Sequence, residues 1–419
     1  MKLLSKFFLA VLLLTAASVS WAACPEGTKN NYKGECVPIA GGSIGSTTNK
    51  KVLDDVEYSV SSHPIDFKAR QKAILDLVSD KSDDRLSYCK RDKWVNLKTE
   101  PTVRIWGPAR ITAENPTMAG AGQSTDVFMI SLYRLLANYV YGEEGMVEKI
   151  YSSLLEGARS DAYVEVEVDL EGKKLYGEHY NPWEEPTYYQ SMLLWPLAYA
   201  YTLLADEYGE EDDGLSEIRA WGDRILASSD TDKVQWVRQD GSVRGIDRAA
   251  IMSAAYSIWG NATGNEDALT RGHSHFRHVM QTIGKSGQDV FWHKDQEILD
   301  MGKAVKYASM TVGPALFAAD ALRRSGAIDV FDYAPKGGNI KEGSAWLIDK
   351  AFATNDPVTS QPRKQFGGLA WVELFIVLFP DHPVSKMADE KLNRGFGGLE
   401  TFMTGGGPAT CFYRDIESA

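Results

Sequence analysis

The residues best equipped for chemistry lie between His179 and Gln190, in the stretch HYNPWEEPTYYQ. His179, Asn181, Trp183, Tyr188 and Tyr189 share a proline-bounded loop that leads into an apolar run. Such a loop can present a proton acceptor, an amide and flat aromatic faces together, a set suited to holding a sugar ring. An ordinary loop anchored by buried aromatics would have the same composition. A second concentration is basic: Arg244, Arg248, Lys303 and Lys306 could line a local cationic cleft. A third is HSHFRHV, where His273, His275 and His278 could in principle ligate a metal. That stretch has no acidic residue at helical spacing, and Arg271 and Arg277 would repel a cation, so it reads as a solvated basic helix start with no metal. Carboxylate pairs such as Glu184-Glu185, Asp295 with Glu297, and Asp212-Asp213 could serve hydrolysis only across a cleft, and each also fits a solvated face. Nucleophile-elbow, P-loop and dinucleotide-binding patterns are missing from any convincing context, and no cofactor is called for. Gly405-Gly406-Gly407 reads as a flexible turn.

The elements that must carry these residues are mostly helical. Phe128, Leu132, Leu135, Leu136 and Tyr139 fall on one helix face, as do Leu194, Leu197, Ala198, Tyr201 and Leu204, with Pro196 expected to kink the second. Ile218, Trp221 and Ile225 repeat the spacing. The longest stripe runs through Val305, Ala308, Val312, Ala315, Leu316, Ala319 and Leu322, with an interruption expected at Gly313-Pro314. One segment departs: Tyr163 to Asp169 alternates with period two, and Glu171-Gly172 supplies a turn, which predicts a small β-hairpin inserted between helices. Helix after helix without strand–helix alternation predicts an all-α domain, for which an (α/α) toroid or incomplete barrel of helical hairpins accommodates the length.

The chain has 419 residues, 44% apolar, with 57 acidic against 45 basic side chains and a net charge of −12. A bulk acidic surface argues against nucleic acid as a partner but leaves room for an acidic ligand in a basic cleft. Residues 1–22 read as a signal peptide: Lys2 and Lys6, an apolar stretch from Phe7 to Ala17, then Ser20-Trp21-Ala22. No later run is long enough to span a membrane. The expected location is therefore the periplasm or the exterior, with lipidation at Cys24 as the rival. Residues 23–53 form a cysteine-bearing segment and Gly/Ser/Thr-rich linker, and residues 54–419 form the main domain. Export permits disulfides. Pairing Cys24 with Cys36 would staple the first segment, and pairing Cys89 with Cys411 would tie the start of the fold to its end; four cysteines allow three connectivities and the sequence does not choose.

Three segments in order resemble the alginate-lyase type of polysaccharide lyase. These are Asp300–Leu316 (DMGKAVKYASMTVGPAL), its continuation through Ala318-Ala319-Asp320, Ser325-Gly326 and Asp329, and Ala370–Pro380 (AWVELFIVLFP). The resemblance implies an α/α toroid and β-elimination on uronic-acid polymers. It assigns the catalytic tyrosine to Tyr307 and a basic position to Lys303. The family's Asn-Asn-His element falls near Asp247 to Ile251, where Arg248 is the nearest polar residue. The expected catalytic set is thus Tyr307 as acid and base, His179 as a second base and Arg248 as carboxylate neutraliser. Lys303, Asn181, Trp183, Tyr188, Arg244 and Gln123 are expected to bind substrate.

The function these readings predict is cleavage of a β-1,4-linked uronic-acid polymer, polymannuronate or glucuronan, by an exported lyase with an acidic polysaccharide as its partner. An α/α-barrel glycoside hydrolase using paired carboxylates, and a periplasmic glycan-binding protein without turnover, are the rival readings.

Overall fold

In a computed structural model, the residues described are 28–30, 36–38, 65–79, 89, 102–103, 121–166, 184–229, 246–284, 301–327, 329–352, 369–393 and 407–413. The chain divides into two compact units, 1–55 and 56–419. In the first, β1 (Thr28–Asn30) pairs antiparallel with β2 (Cys36–Pro38). The expected signal peptide and Cys24 lie outside the described residues.

The second unit opens with α1 (Phe67–Ser79) and continues as helical hairpins. These are α2 (Ala121–Val140) with α3 (Met146–Arg159), α4 (Glu184–Tyr208) with α5 (Asp213–Ser228), and α6 (Ile246–Thr263) with α7 (Glu266–Met280). Then come α8 (Met301–Arg324) with α9 (Ile340–Phe352), and α10 (Trp371–Leu378) with α11 (Pro383–Asn393). The short α12 (Ala409–Tyr413) follows. Burial separates two layers. Every residue from Gln190 to Ala205 in α4 and from Ala249 to Thr263 in α6 is buried, as expected of helices enclosed on all sides. In α5, by contrast, burial follows one stripe: Leu215, Ile218, Trp221, Gly222, Ile225 and Leu226. The even-numbered helices α2 to α10 form the inner layer, each packed on the next, and the odd-numbered helices cover them. This is the (α/α) toroid expected.

The hairpins are antiparallel. Ser253 Oγ of α6 donates to Gly272 O of α7 at 2.8 Å, and a Cβ on Gly260 would meet Leu269, so the chain runs up one helix and down the other. Successive inner helices are therefore parallel. Between α2 and α4, Tyr133 meets Tyr199 and, further along both, the Tyr139 hydroxyl donates to Glu207. The inner helices therefore run in one direction, α2 to α8 beginning toward one rim and α10 lower down, its first residue level with Ser309 of α8.

The C-terminal α12 packs on both α10 and α2, joining the last inner helix to the first. It is held there by Arg70 of α1, which donates to Cys411 O at 2.5 Å and Thr410 O at 2.9 Å, and by the disulfide between Cys89 and Cys411. That is the pairing considered above as a tie between start and end. Gly407, just before α12, has φ +80°, and a Cβ there would lie 2.3 Å from the Tyr133 ring. It is a close-packing position rather than only a turn.

The apolar stripes on α2, α4 and α5 are buried as expected. The interruption expected at Gly313-Pro314 does not appear, since α8 runs through it, and α4 is likewise continuous through Pro196. Each proline costs about 3 kcal/mol in a lone helix, but packing on several sides keeps these helices continuous. The alternating stretch contributes β4 (Glu165–Val166), which pairs in parallel with β3 (Thr102–Val103). The expected hairpin partner lies outside the described residues. Among those described, no helix is long and apolar enough to cross a membrane.

Candidate active site

The first turn of a helix carries backbone N–H groups without intrahelical partners and about half a positive charge. The parallel inner helices point these ends the same way, with α10 starting lower than the others. Of the residues singled out by sequence, five have their backbone near these helix starts. Gln123 is the third residue of α2, Tyr188 the fifth of α4, Arg248 the third of α6, and Lys303 and Tyr307 the third and seventh of α8. Arg248 and Lys303 occupy the same position on adjacent parallel helices, and Arg248 is half-buried. Lys303 and Tyr307 are four residues apart in α8. His179, Asn181, Trp183 and Arg244 lie outside the described residues; in the sequence they come just before α4 and α6.

Beneath this rim are polar contacts that the sequence reading missed. Trp371, first residue of α10, is wholly buried, and its indole N–H donates to Ser309 Oγ of α8 at 2.7 Å. Ser309 is two residues beyond Tyr307. Glu373 is buried in the first turn of the same helix and accepts from Thr410 Oγ1 of α12 at 2.7 Å. A carboxylate inside the apolar run AWVELFIVLF was the one sequence signal that this segment did more than pack. In α4, buried Gln190 donates through Nε2 to Val164 O at 3.0 Å, Tyr163 O at 3.3 Å and Ser228 Oγ at 3.0 Å. It thus fixes the turn that launches β4. Asp161 and Tyr163 in that turn have φ of 50° and 59°, a strained conformation costing about 1–3 kcal/mol each. It is held from α5 by Trp221, whose N–H donates to Ala162 O at 2.7 Å, and by Arg224, bonded to Asp161 Oδ1 at 2.7 Å.

The middle of the ring is filled with aromatic side chains. Trp195 of α4 meets Phe317 of α8 at 4.9 Å between centroids, although α6 separates these helices in the layer. Trp195 Nε1 donates to Tyr199, and the hydroxyls of Tyr199 and Tyr413 bond to each other. Burial pushes both hydroxyls well above the usual tyrosine range, so they stay protonated. Ten residues, about 15 Å of helix, separate Phe317 from Tyr307.

The histidine cluster is not a solvated helix start. It occupies the second half of α7, with His273 and His275 buried. His275 lies against the Tyr256 ring at 5.8 Å, and burial, then His278 and Arg271, lower its pKa to about 3. Among the described residues, no three His, Cys, Asp or Glu side chains are grouped to hold a metal. Of the carboxylate pairs, Asp212 caps α5 by accepting from Leu215 N and also accepts from the Tyr151 hydroxyl, while Asp295 and Glu297 lie outside the described residues.

No protein-family model matches the sequence, and no curated protein matches it. Solved structures do. Alginate lyase A1-III, as a tyrosine-to-phenylalanine variant complexed with tetrasaccharide, superposes with a TM-score of 0.57 at 15% identity over 86% of this chain and 97% of that one. A histidine-to-alanine variant complexed with tetrasaccharide gives 0.57 at 16% identity over 86% and 97%. The apo form of the latter gives 0.59 at 16% identity over 86% and 98%. At these identities the shared property is the fold: this chain is built on the α/α toroid of the alginate lyase A1-III structures.

Proposed function

We propose that the protein is a polysaccharide lyase that cleaves a β-1,4-linked uronic-acid polymer, polymannuronate or glucuronan, by β-elimination. The observation that carries this reading is the backbone position of Gln123, Tyr188, Arg248, Lys303 and Tyr307 near the starts of parallel inner helices, in a toroid shared with alginate lyase structures. Elimination removes the proton on C5, next to the carboxylate, and expels the oxygen on C4. The carboxylate must be neutralised, because a proton leaving beside it otherwise builds a dianion. Arg248 and Lys303 supply that charge, and the inner-helix N-termini add a positive potential that persists at any pH. Within this reading Tyr307 takes the C5 proton and returns one to the departing oxygen, which lie on the same side in β-linked mannuronate or glucuronate. His179 is the second base; Asn181, Trp183, Tyr188, Arg244 and Gln123 hold the neighbouring sugars. An acidic protein carrying Arg248 and Lys303 near these helix starts suits an exported enzyme acting on an anionic polymer.

The test is ultraviolet absorbance with polymannuronate, polyguluronate and glucuronan offered separately. Only elimination makes the C4–C5 double bond conjugated to the carboxyl. Rising absorbance that a folded Tyr307→Phe variant abolishes supports the reading. Reducing ends that accumulate without absorbance would make the protein a hydrolase and remove Tyr307 from its assigned role.

A further inference from the structure

We infer that Trp371 is a positioning residue for the elimination, acting on Tyr307 through Ser309; the inference rests on the function proposed above. Three observations lead to it. The α10 helix has eight residues, and Ala370 at its start offers no side-chain cap. Its orientation is therefore set by what its first turn grips. That turn makes two buried side-chain bonds in different directions, Trp371 to Ser309 of α8 and Glu373 to Thr410 of α12. Both Trp371 and Ser309 are almost wholly excluded from water.

An indole has a single donor, and leaving it unbonded in a dry site is costly. Sliding α8 by one residue along its axis would move Ser309 by about 1.5 Å and turn it by about 100°. The bond thus selects one height and one rotation of α8 relative to α10. Because Tyr307 lies only two residues nearer the rim on the same continuous helix, its backbone is fixed by the same bond. The Glu373–Thr410 bond holds α10 from the other side, so that α10 does not simply follow α8.

Elimination is demanding of such fixing. A base displaced by about 1 Å from the proton it removes loses roughly a hundredfold in rate, while binding spread over many sugar contacts is little changed. Trp371→Phe removes the donor and keeps most of the ring. Ser309→Ala removes the acceptor, and Ser309→Thr keeps the hydroxyl. Trp259→Phe is the matched control: its indole donates to Asp223 Oδ1 at 3.0 Å near the far end of α6, away from the rim.

The measurements are kcat and KM on the polyuronate that the wild type cleaves, thermal stability, and hydrogen exchange of the α8 amides. Trp371→Phe and Ser309→Ala are expected to lower kcat by roughly tenfold to a hundredfold with KM within about twofold, and to speed exchange in the first turns of α8. Ser309→Thr should recover most of the rate. Trp259→Phe should cost stability while keeping kcat and the α8 exchange pattern. If Trp371→Phe loses no more kcat than Trp259→Phe, or leaves α8 exchange unchanged, Trp371 is a packing residue and the inference is wrong while the lyase reading stands. A wild type silent on all three polymers overturns both.

Discussion

Lowering the pH from 7.5 to 5.0 should destabilise the protein through His275 by an amount the structure lets one work out. His275 is enclosed between α6 and α7, where burial is the main cause of a pKa near 3 and the nearby His278 and Arg271 lower it further. In the unfolded chain it titrates near the ordinary histidine value of 6.5. Above that value both states hold a neutral imidazole and the group contributes nothing to the pH dependence. Below it the unfolded chain takes up a proton that the folded chain refuses, so stability falls with pH until the folded pKa is reached. Two states differing this way lose about 2 kcal/mol by pH 5.0, with a limiting slope of about 1.4 kcal/mol per pH unit. Asp212 and Glu217, lowered chiefly by their hydrogen bonds to Tyr151 and Arg159, change stability in the same sense, as does half-buried His278. The effect must therefore be read as a difference. Urea unfolding of the wild type and of His275→Phe, each at pH 7.5 and 5.0, isolates it, with His275→Asn as a check on packing. The wild type should lose about 2 kcal/mol more than either variant over that interval. Equal losses in all three would mean that α7 accommodates a charged His275, and the argument from burial would be refuted.

Other perturbations have expected outcomes too. Cys89→Ser with Cys411→Ser should lower stability by about 2–5 kcal/mol, read by urea unfolding, because the bridge closes a separation of 322 residues. Gly407→Ala should cost about 1–3 kcal/mol, since the added carbon meets the Tyr133 ring at a positive φ; calorimetry would show it. Asp212→Ala should bring the Tyr151 hydroxyl, raised to about 12 mainly by its bond to Asp212, back toward 10, visible in a tyrosinate absorbance titration.

Periodicity was a sound guide wherever a helix has one dry face. Phe128, Leu132 and Leu136 on α2, or Ile218, Trp221 and Ile225 on α5, repeat at helical spacing and are buried. It was a poor guide to layers and breaks. Pro196 and Pro314 look like interruptions until the inner helices are seen wrapped by neighbours, whose packing outweighs a lost backbone bond. The histidines misled for the opposite reason. Their spacing was legible, but Leu269, Gly272, Phe276 and Val279 mark the stripe on which His275 falls, and that stripe was the better signal. For the site, rim positions could be anticipated from residue type and resemblance. Partners such as Ser309 for Trp371, or Thr410 for Glu373, could not, because each pair joins elements separated by dozens of residues and depends on the ring being assembled.

That the ring is completed by α12 also sets a clock on its assembly. The first inner helix begins at Ala121 and the element that seats against it carries Cys411, which follows 290 residues later. At about 5–20 residues per second, roughly 15–60 s of synthesis separate the two. During that interval α2 has made its contacts with α1, α3 and α4, yet the part of it that α12 covers, where Tyr133 meets Gly407, still lacks that neighbour. A nascent chain of this design is an open arc with an apolar end for most of its birth. Its vulnerability to aggregation and to proteases therefore lies in that arc, and ends only when the final turn of helix arrives.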